Sequence, residues 1–231
     1  MKKEFLINDR INTLNIGEDS KDILLYIHGL GADKEFILRF SDLLKNKYNI
    51  FSIDLPCHGK DKTNYKEFNL DICIKYVLDT ISYLKNKYNS NIYLFGSSYG
   101  GFVILNGYEE ITKNVEKIYL MNPAINFCEI MERKVRVLSK DYYKKNEYLP
   151  LYSNIKIYQK AYLEFKEADK YVKNHYYKNV YIVQGDIDRT VLVSDILDFV
   201  NKNKLIYKII ENGKHELYGF EEEIVNFILE N

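Results

Sequence analysis

The sequence carries no surplus of charge. Its 33 lysines and arginines are matched by 33 aspartates and glutamates, interspersed along the chain, so the formal net charge is zero. Without a one-signed field nothing gathers a polyanion, and nucleic acid is not an expected partner. Cysteine is scarce too. Cys57, Cys73 and Cys128 are widely spaced and form no C-x-x-C pair, which excludes the thiol spacing of a metal or redox site and reads as three reduced thiols. Long hydrophobic runs are missing. Near the N-terminus only Phe5-Leu6-Ile7 are consecutively apolar, too short for a signal-peptide core, and no other run approaches a membrane span. A cytoplasmic protein is expected. Repeats, low-complexity linkers and metal-ligand spacings are likewise lacking, so neither metal nor cofactor is expected.

What is present suits one sizeable α/β domain with an elaboration, since 231 residues can bury a large core. Residues 4–7 and 11–16 are extended stretches about Asn8-Asp9-Arg10, a β-hairpin. Residues 22–27 form the continuous apolar run of a strand covered on both faces. Asp33 reads as the N-cap of a helix with Phe36, Phe40, Leu43 and Leu44 on one face. A strand over 50–53 precedes a helix over 69–87 that sets Leu70, Ile74, Val77, Ile81 and Leu84 on one stripe. Further strands are expected over 92–94, 117–121, 180–183 and 205–210. A helix near 194–202 and a closing one bearing Phe220, Ile224, Phe227 and Ile228 complete the alternation.

Residues 126–178 break that pattern. No buried strand is legible there, a helix carries Tyr158, Tyr162 and Phe165 on one face, and nine of the 22 tyrosines lie between Tyr142 and Tyr177. An ordinary pair of packed helices would give the same aromatic face. The expectation is an α/β core over 1–125 and 179–231 with a small helical cap inserted at 126–178.

The chemistry centres on Phe95-Gly96-Ser97-Ser98-Tyr99-Gly100-Gly101, between the apolar runs 92–94 and 102–105. It reads as strand, sharp turn and helix, with Gly96 and Gly100 flanking Ser98 where side chains would collide across a strained turn. Such a turn holds a hydroxyl at a helix N-terminus, where the dipole and free N–H groups stabilise an oxyanion. A glycine-containing βα turn in any doubly wound protein looks the same, so the rest of the chain must decide. A serine needs a base to take its proton and an acid to hold that base's tautomer. His175 lies in a Lys/Asn/Tyr-rich stretch of surface character, and His28 and His58 precede the serine. His215 follows the final strand, and Asp188 follows the strand before it, with Asp186 a rival two residues earlier. Catalytic groups of open α/β sheets gather at these carboxyl ends.

In the order Ser98, Asp188, His215 the chain resembles the α/β-hydrolase superfamily. The resemblance rests on His28-Gly29-Leu30-Gly31, Asp54-x-Pro56-x-His58-Gly59, Gly96-x-Ser98-x-Gly100, Gly185-Asp186-Ile187-Asp188 and Gly213-Lys214-His215, spread over nearly the whole chain. It implies an α/β-hydrolase fold, a mostly parallel doubly wound sheet with helices on both faces. By the same resemblance Ser98 is the nucleophile, His215 the general base and then acid, and Asp188, three residues after its glycine, the orienting carboxylate. The backbone N–H groups of Leu30 and Tyr99 would form the oxyanion hole, while His28 and His58 support loops.

A serine at this place departs from the haloalkane dehalogenases, which use aspartate. The glycine loop and the 54–59 motif look most like small carboxylesterases and the serine-aminopeptidase-like branch of monoacylglycerol lipases. The implied partner is a small-molecule carboxylic ester, with a small acyl, aryl or monoacylglycerol-type group, cleaved through an acyl-enzyme on Ser98. Ile155, Ile157, Leu163 and Phe165 are expected to line its pocket. The same triad acting on a thioester, peptide or C–C bond is an alternative, as is a hydrolase-like binding protein without turnover.

Overall fold

Apolar side chains that alternate between two faces set the architecture. The computed structural model describes residues 2–19, 21–134, 142–151 and 155–231. Its strands are β1 (Lys2–Ile7), β2 (Ile11–Ile16), β3 (Asp22–Ile27), β4 (Tyr48–Ile53), β5 (Ile92–Ser97), β6 (Lys117–Met121), β7 (Tyr148–Pro150), β8 (Lys156–Tyr158), β9 (Val180–Gly185) and β10 (Ile206–Ile210). All but β7 and β8 join one sheet in the order β1-β2-β4-β3-β5-β6-β9-β10. β1, β2 and β4 pair antiparallel in succession, and every pairing from β4 onward is parallel. This is the mostly parallel sheet that the sequence implies.

Parallel neighbours need crossovers. The helices are α1 (Leu38–Leu44), α2 (Leu70–Lys87), α3 (Tyr99–Asn106), α4 (Tyr108–Ile111), α5 (Phe127–Lys134), α6 (Tyr142–Lys145), α7 (Gln159–Asn174), α8 (Val193–Asn203) and α9 (Glu221–Glu230). β3 shows how they divide. Its Ile23, Leu25 and Ile27 join the core built with α2 and α3. Leu24 and Tyr26 point the other way, among Phe40 and Leu44 of α1 and Ile224 and Phe227 of α9. Helices therefore cover both faces. Among the described residues no helix is long and apolar enough to cross a membrane.

Local signals account for most boundaries. The Asn69 side chain accepts from the Ile72 N–H at 2.9 Å and starts α2. Asp33 accepts from the Glu35 N–H at 2.8 Å, as its N-cap reading requires. The turn it caps, Lys34–Ile37, is a 3-10 turn, whose tighter period shifts the phase of α1. As a result Ile37, Phe40 and Leu44 are buried, while Leu43, expected on the same face, is 39% exposed.

The segment at 126–178 differs from the expectation of an all-helical insertion. Besides α5, α6 and α7 it holds the antiparallel pair β7–β8, in which Leu149 faces Ile157 and both are fully buried. Strands of three residues are too short for alternation to be read from sequence. Within this segment 135–141 and 152–154, including Tyr152, lie outside the described residues. The aromatic face of α7 turns inward: the Phe165 ring packs 5.1 Å from Phe127 and 6.0 Å from Tyr99, centroid to centroid.

The Asp54–Gly59 motif is structural. The Asp54 carboxylate accepts from the Lys34 ammonium and from the backbone N–H groups of Lys34 and Lys60, each at 2.9 Å. The ion pair is buried, with side chains 2% and 0% exposed. A Cβ at Gly59 would stand 2.3 Å from Asp54 Oδ1, so that turn has room only for glycine. Asp54→Ala leaves the buried Lys34 ammonium with only the Glu4 carboxylate, 3.8 Å away, and is expected to cost about 3 kcal/mol, read as a drop in the urea midpoint. A midpoint unchanged by the substitution contradicts this account.

Candidate active site

A strained turn places the serine. Ser98 sits between β5 and α3 at φ 47 and ψ −114, a conformation L residues adopt only when their surroundings impose it. The two flanking glycines allow it for different reasons. A Cβ on Gly96 would lie 2.5 Å from Ile104 Cδ1 and 3.1 Å from Gly101 N, across the turn as expected. On Gly100 it would instead strike the neighbouring strand, 2.2 Å from the Ile27 carbonyl oxygen. Close packing of α3 on β3, rather than collision within the elbow, thus fixes the second glycine.

His215 and Asp188 arrive on loops after β10 and β9. Those loops touch at two glycines: a Cβ on Gly185 would sit 2.3 Å from the Gly213 carbonyl oxygen. Asp188 Oδ1 accepts from the N–H groups of Thr190 at 2.7 Å and Val191 at 3.0 Å, which orients its carboxylate. Asp188 Oδ2 accepts from His215 Nδ1 at 2.7 Å, and His215 Nε2 stands 2.9 Å from Ser98 Oγ. This network assigns the proton to Nδ1 and leaves Nε2 free to accept from the serine hydroxyl. Asp186 does not reach the histidine. It accepts from the Gly213 N–H at 3.2 Å and braces the loop.

The other expected residues are nearby. Tyr99 opens α3, so its N–H has no acceptor within the helix, and Leu30 lines the cavities on both sides of Ser98. Ser97 does not compete for the nucleophile's role, because its hydroxyl bonds to Tyr26 Oη at 2.7 Å inside the core. Nor do the thiols: burial pushes Cys57 and Cys128 up to about 12, and Cys73 higher still.

Two cavities flank Ser98 and His215. The larger, about 260 Å³, is walled by Ala124, Phe127, Ile130, Met131 and Leu151. The smaller, about 100 Å³, is walled by Ala32, Phe36 and Met121. Ile155, Ile157 and Phe165, expected as pocket lining, are instead buried in the core, and Leu163 is 53% exposed. Composition misplaced the wall because Ile155, Ile157 and Phe165 are taken up by packing in the core. The wall itself is legible as the i, i+3, i+4 row Phe127, Ile130, Met131.

His28 and His58 are loop supports. His28 donates from Nδ1 to the Gly29 carbonyl at 2.8 Å and accepts at Nε2 from the Leu55 N–H at 3.0 Å. His58 donates to the Pro56 carbonyl at 2.8 Å, and its ring packs against that of His28 at 5.0 Å between centroids and a tilt of 54°. His175 is half-buried between the rings of Tyr108, Tyr171 and Tyr177, not the surface residue its stretch suggested.

The chain belongs to the α/β-hydrolase fold family, whose model matches residues 22–154. Among solved structures it is similar to the ferulic-acid complex of Est1E from Butyrivibrio proteoclasticus, with a TM-score of 0.82 at 19% identity, covering 99% of this chain and 98% of that one. A monoacylglycerol lipase from Paleococcus ferrophilus gives a TM-score of 0.73 at 16% identity, covering 95% of this chain and 97% of that one. At the sequence level it is 27% identical over 117 residues to a probable 1-acylglycerol-3-phosphate O-acyltransferase from Oryza sativa subsp. japonica. That match takes in 49% of this chain and 28% of the relative, so the chain spans under a third of that protein's length.

Burial lowers His28 to about 4 and His58 to about 3 from an ordinary 6.5. The folded state therefore favours both neutral rings. Their contribution is complete above pH 6.5 and is lost as pH falls through that value toward 4 and then 3. Urea midpoints should fall over this window, each ring taking up to about 1.4 kcal/mol per pH unit, and more gently in His58→Asn. Equal slopes for the variant and the wild type contradict the assignment.

Proposed function

We propose that this protein is a serine hydrolase that cleaves an uncharged carboxylic ester through an acyl-enzyme on Ser98. One observation carries the reading: the unbroken hydrogen-bonded series Asp188–His215–Ser98, with its aspartate buried and the serine opening onto an apolar cavity. In this reading His215 Nε2 takes the serine proton as Oγ attacks the ester carbonyl. Asp188 holds the ring and stabilises the imidazolium that forms. The N–H groups of Leu30 and Tyr99 receive the oxyanion, donors that each typically supply about a hundredfold in rate or more. His215 then returns the proton to the leaving alcohol, and water activated by the same nitrogen releases the acid. No step calls for a metal or cofactor.

The cavities support the substrate class. We read 126–178 as a cap over the core formed by 1–125 and 179–231, with Phe127, Ile130, Met131 and Leu151 supplying the wall of the larger cavity. One apolar arm of the ester fits there, and a shorter arm fits the smaller cavity. Among the described lining residues none is lysine or arginine, and the acidic Glu216 lines both cavities. That charge disfavours anionic esters and phosphate-bearing substrates. The free thiols of Cys57, Cys73 and Cys128 support placement in a reducing, cytoplasmic compartment.

A fluorophosphonate probe should label the wild type and spare Ser98→Ala, with turnover of p-nitrophenyl butyrate lost in step. Folded wild type that neither reacts nor turns over leaves only the binding-protein alternative. Charge selectivity is a separate test: Glu216→Gln should raise kcat/KM for p-nitrophenyl hemisuccinate relative to butyrate by about 3- to 10-fold. A ratio that does not move removes Glu216 from substrate selection.

A further inference from the structure

Ser98, Asp188 and His215 follow three different strands, and each must be held against the other two. The end of a fourth strand, β6, and the residues after it bond to the serine, to the histidine and to the start of the turn that carries the aspartate. The Ser98 N–H donates to the Met121 carbonyl at 3.0 Å, and the Ser98 carbonyl accepts from the Ala124 N–H at 3.0 Å. Backbone on either side of Asn122 therefore grips the elbow. The Asn122 side chain serves the other two loops. Its Oδ1 accepts at 2.8 Å from the N–H of Gly185, which opens the Asp188 loop. Its Nδ2 donates to the carbonyls of His215 at 2.6 Å and Lys214 at 3.2 Å. Asn122 is fully buried and sits at φ 44, a backbone region that asparagine tolerates better than most residues.

We infer that Asn122 is a positioning residue that sets His215 against Ser98 by clamping the backbone of the histidine itself. The inference rests on the reading of Ser98, His215 and Asp188 as an acyl-transfer triad. Asn122 lines neither cavity, so it acts through His215 and not on substrate. The amide is used at both ends, and its polarity matters: donors face the histidine loop and the acceptor faces the aspartate loop. Arg39 of α1 holds the next two carbonyls, Glu216 at 2.9 Å and Leu217 at 3.0 Å, so four consecutive carbonyls are fixed from two sides. Loss of the Asn122 donors therefore moves His215 without releasing the loop.

Asn122→Asp separates this role from general bracing. It is nearly isosteric and keeps the acceptor for Gly185, yet it turns an oxygen toward two carbonyls that had been accepting hydrogen bonds. Positioning predicts that kcat for p-nitrophenyl acetate falls about 30- to 100-fold with KM within about twofold, as displacement by about an ångström does. It also predicts that the downfield proton resonance of His215 Nδ1, identified by its loss in His215→Gln, shifts or broadens while the melting temperature stays near wild type. Should Asn122→Asp not fold, Asn122→Gly, which suits the positive φ and removes the side chain, is read in the same way. A folded variant with wild-type kcat and an unmoved resonance overturns the inference. If the wild type itself shows no turnover, the triad reading fails and the resonance alone decides: moved in the variant it supports positioning, unmoved it overturns it.

Discussion

The backbone of Ser98 is the constraint on which the rest of the structure depends. A residue at φ 47 and ψ −114 stays there only if everything around it over-determines the turn. Here β5 delivers the chain, α3 carries it away, and Gly100 lets that helix press its backbone onto the Ile27 carbonyl of β3 and the His28 carbonyl just after it. Hydrogen bonds to the Met121 carbonyl and from the Ala124 N–H hold the serine from the other side. The hydroxyl ends at the start of a helix, facing an apolar cavity, with its two partners brought in from the far edge of the sheet.

Polar groups around this turn fall into two layers. Asp54, Lys34, His28 and His58 form a buried layer that satisfies the loops after β3 and β4 and keeps both histidine rings neutral. Asp188, His215 and Ser98 form the second, whose open end reaches the cavities. Burying a carboxylate is unfavourable unless donors meet it. In these two layers the buried aspartates are met by them: Asp54 by an ammonium and two N–H groups, Asp188 by two N–H groups and an imidazole.

Much of this is written in short-range pattern. The strands, α2 with its Asn69 cap, the glycines about Ser98 and the glycine pair that lets the last two loops meet are all local signals, and they led to Ser98, Asp188 and His215. Asp188 is favoured over Asp186 by the family resemblance, and in the folded chain it is Asp188 that lies within hydrogen-bond reach of His215. What stayed hidden depends on distant contacts. Three-residue strands such as β7 and β8 have no readable period. The wall of the larger cavity comes from α5 because the aromatic face of α7 was taken up by packing on Phe127 and Tyr99. Asn122 reads in the sequence as the stop after a strand, and nothing local announces that its amide reaches loops 63 and 93 residues away along the chain.

The central claim is that Ser98 becomes acylated during turnover. Rapid quenching of the wild-type protein with p-nitrophenyl butyrate, followed by intact-mass analysis and peptide mapping, tests it most directly. The account predicts a butyryl adduct on the peptide containing Ser98, formed in step with a burst of p-nitrophenol and then lost to water. Turnover with no adduct at any quench time, or an adduct on another residue, would contradict it.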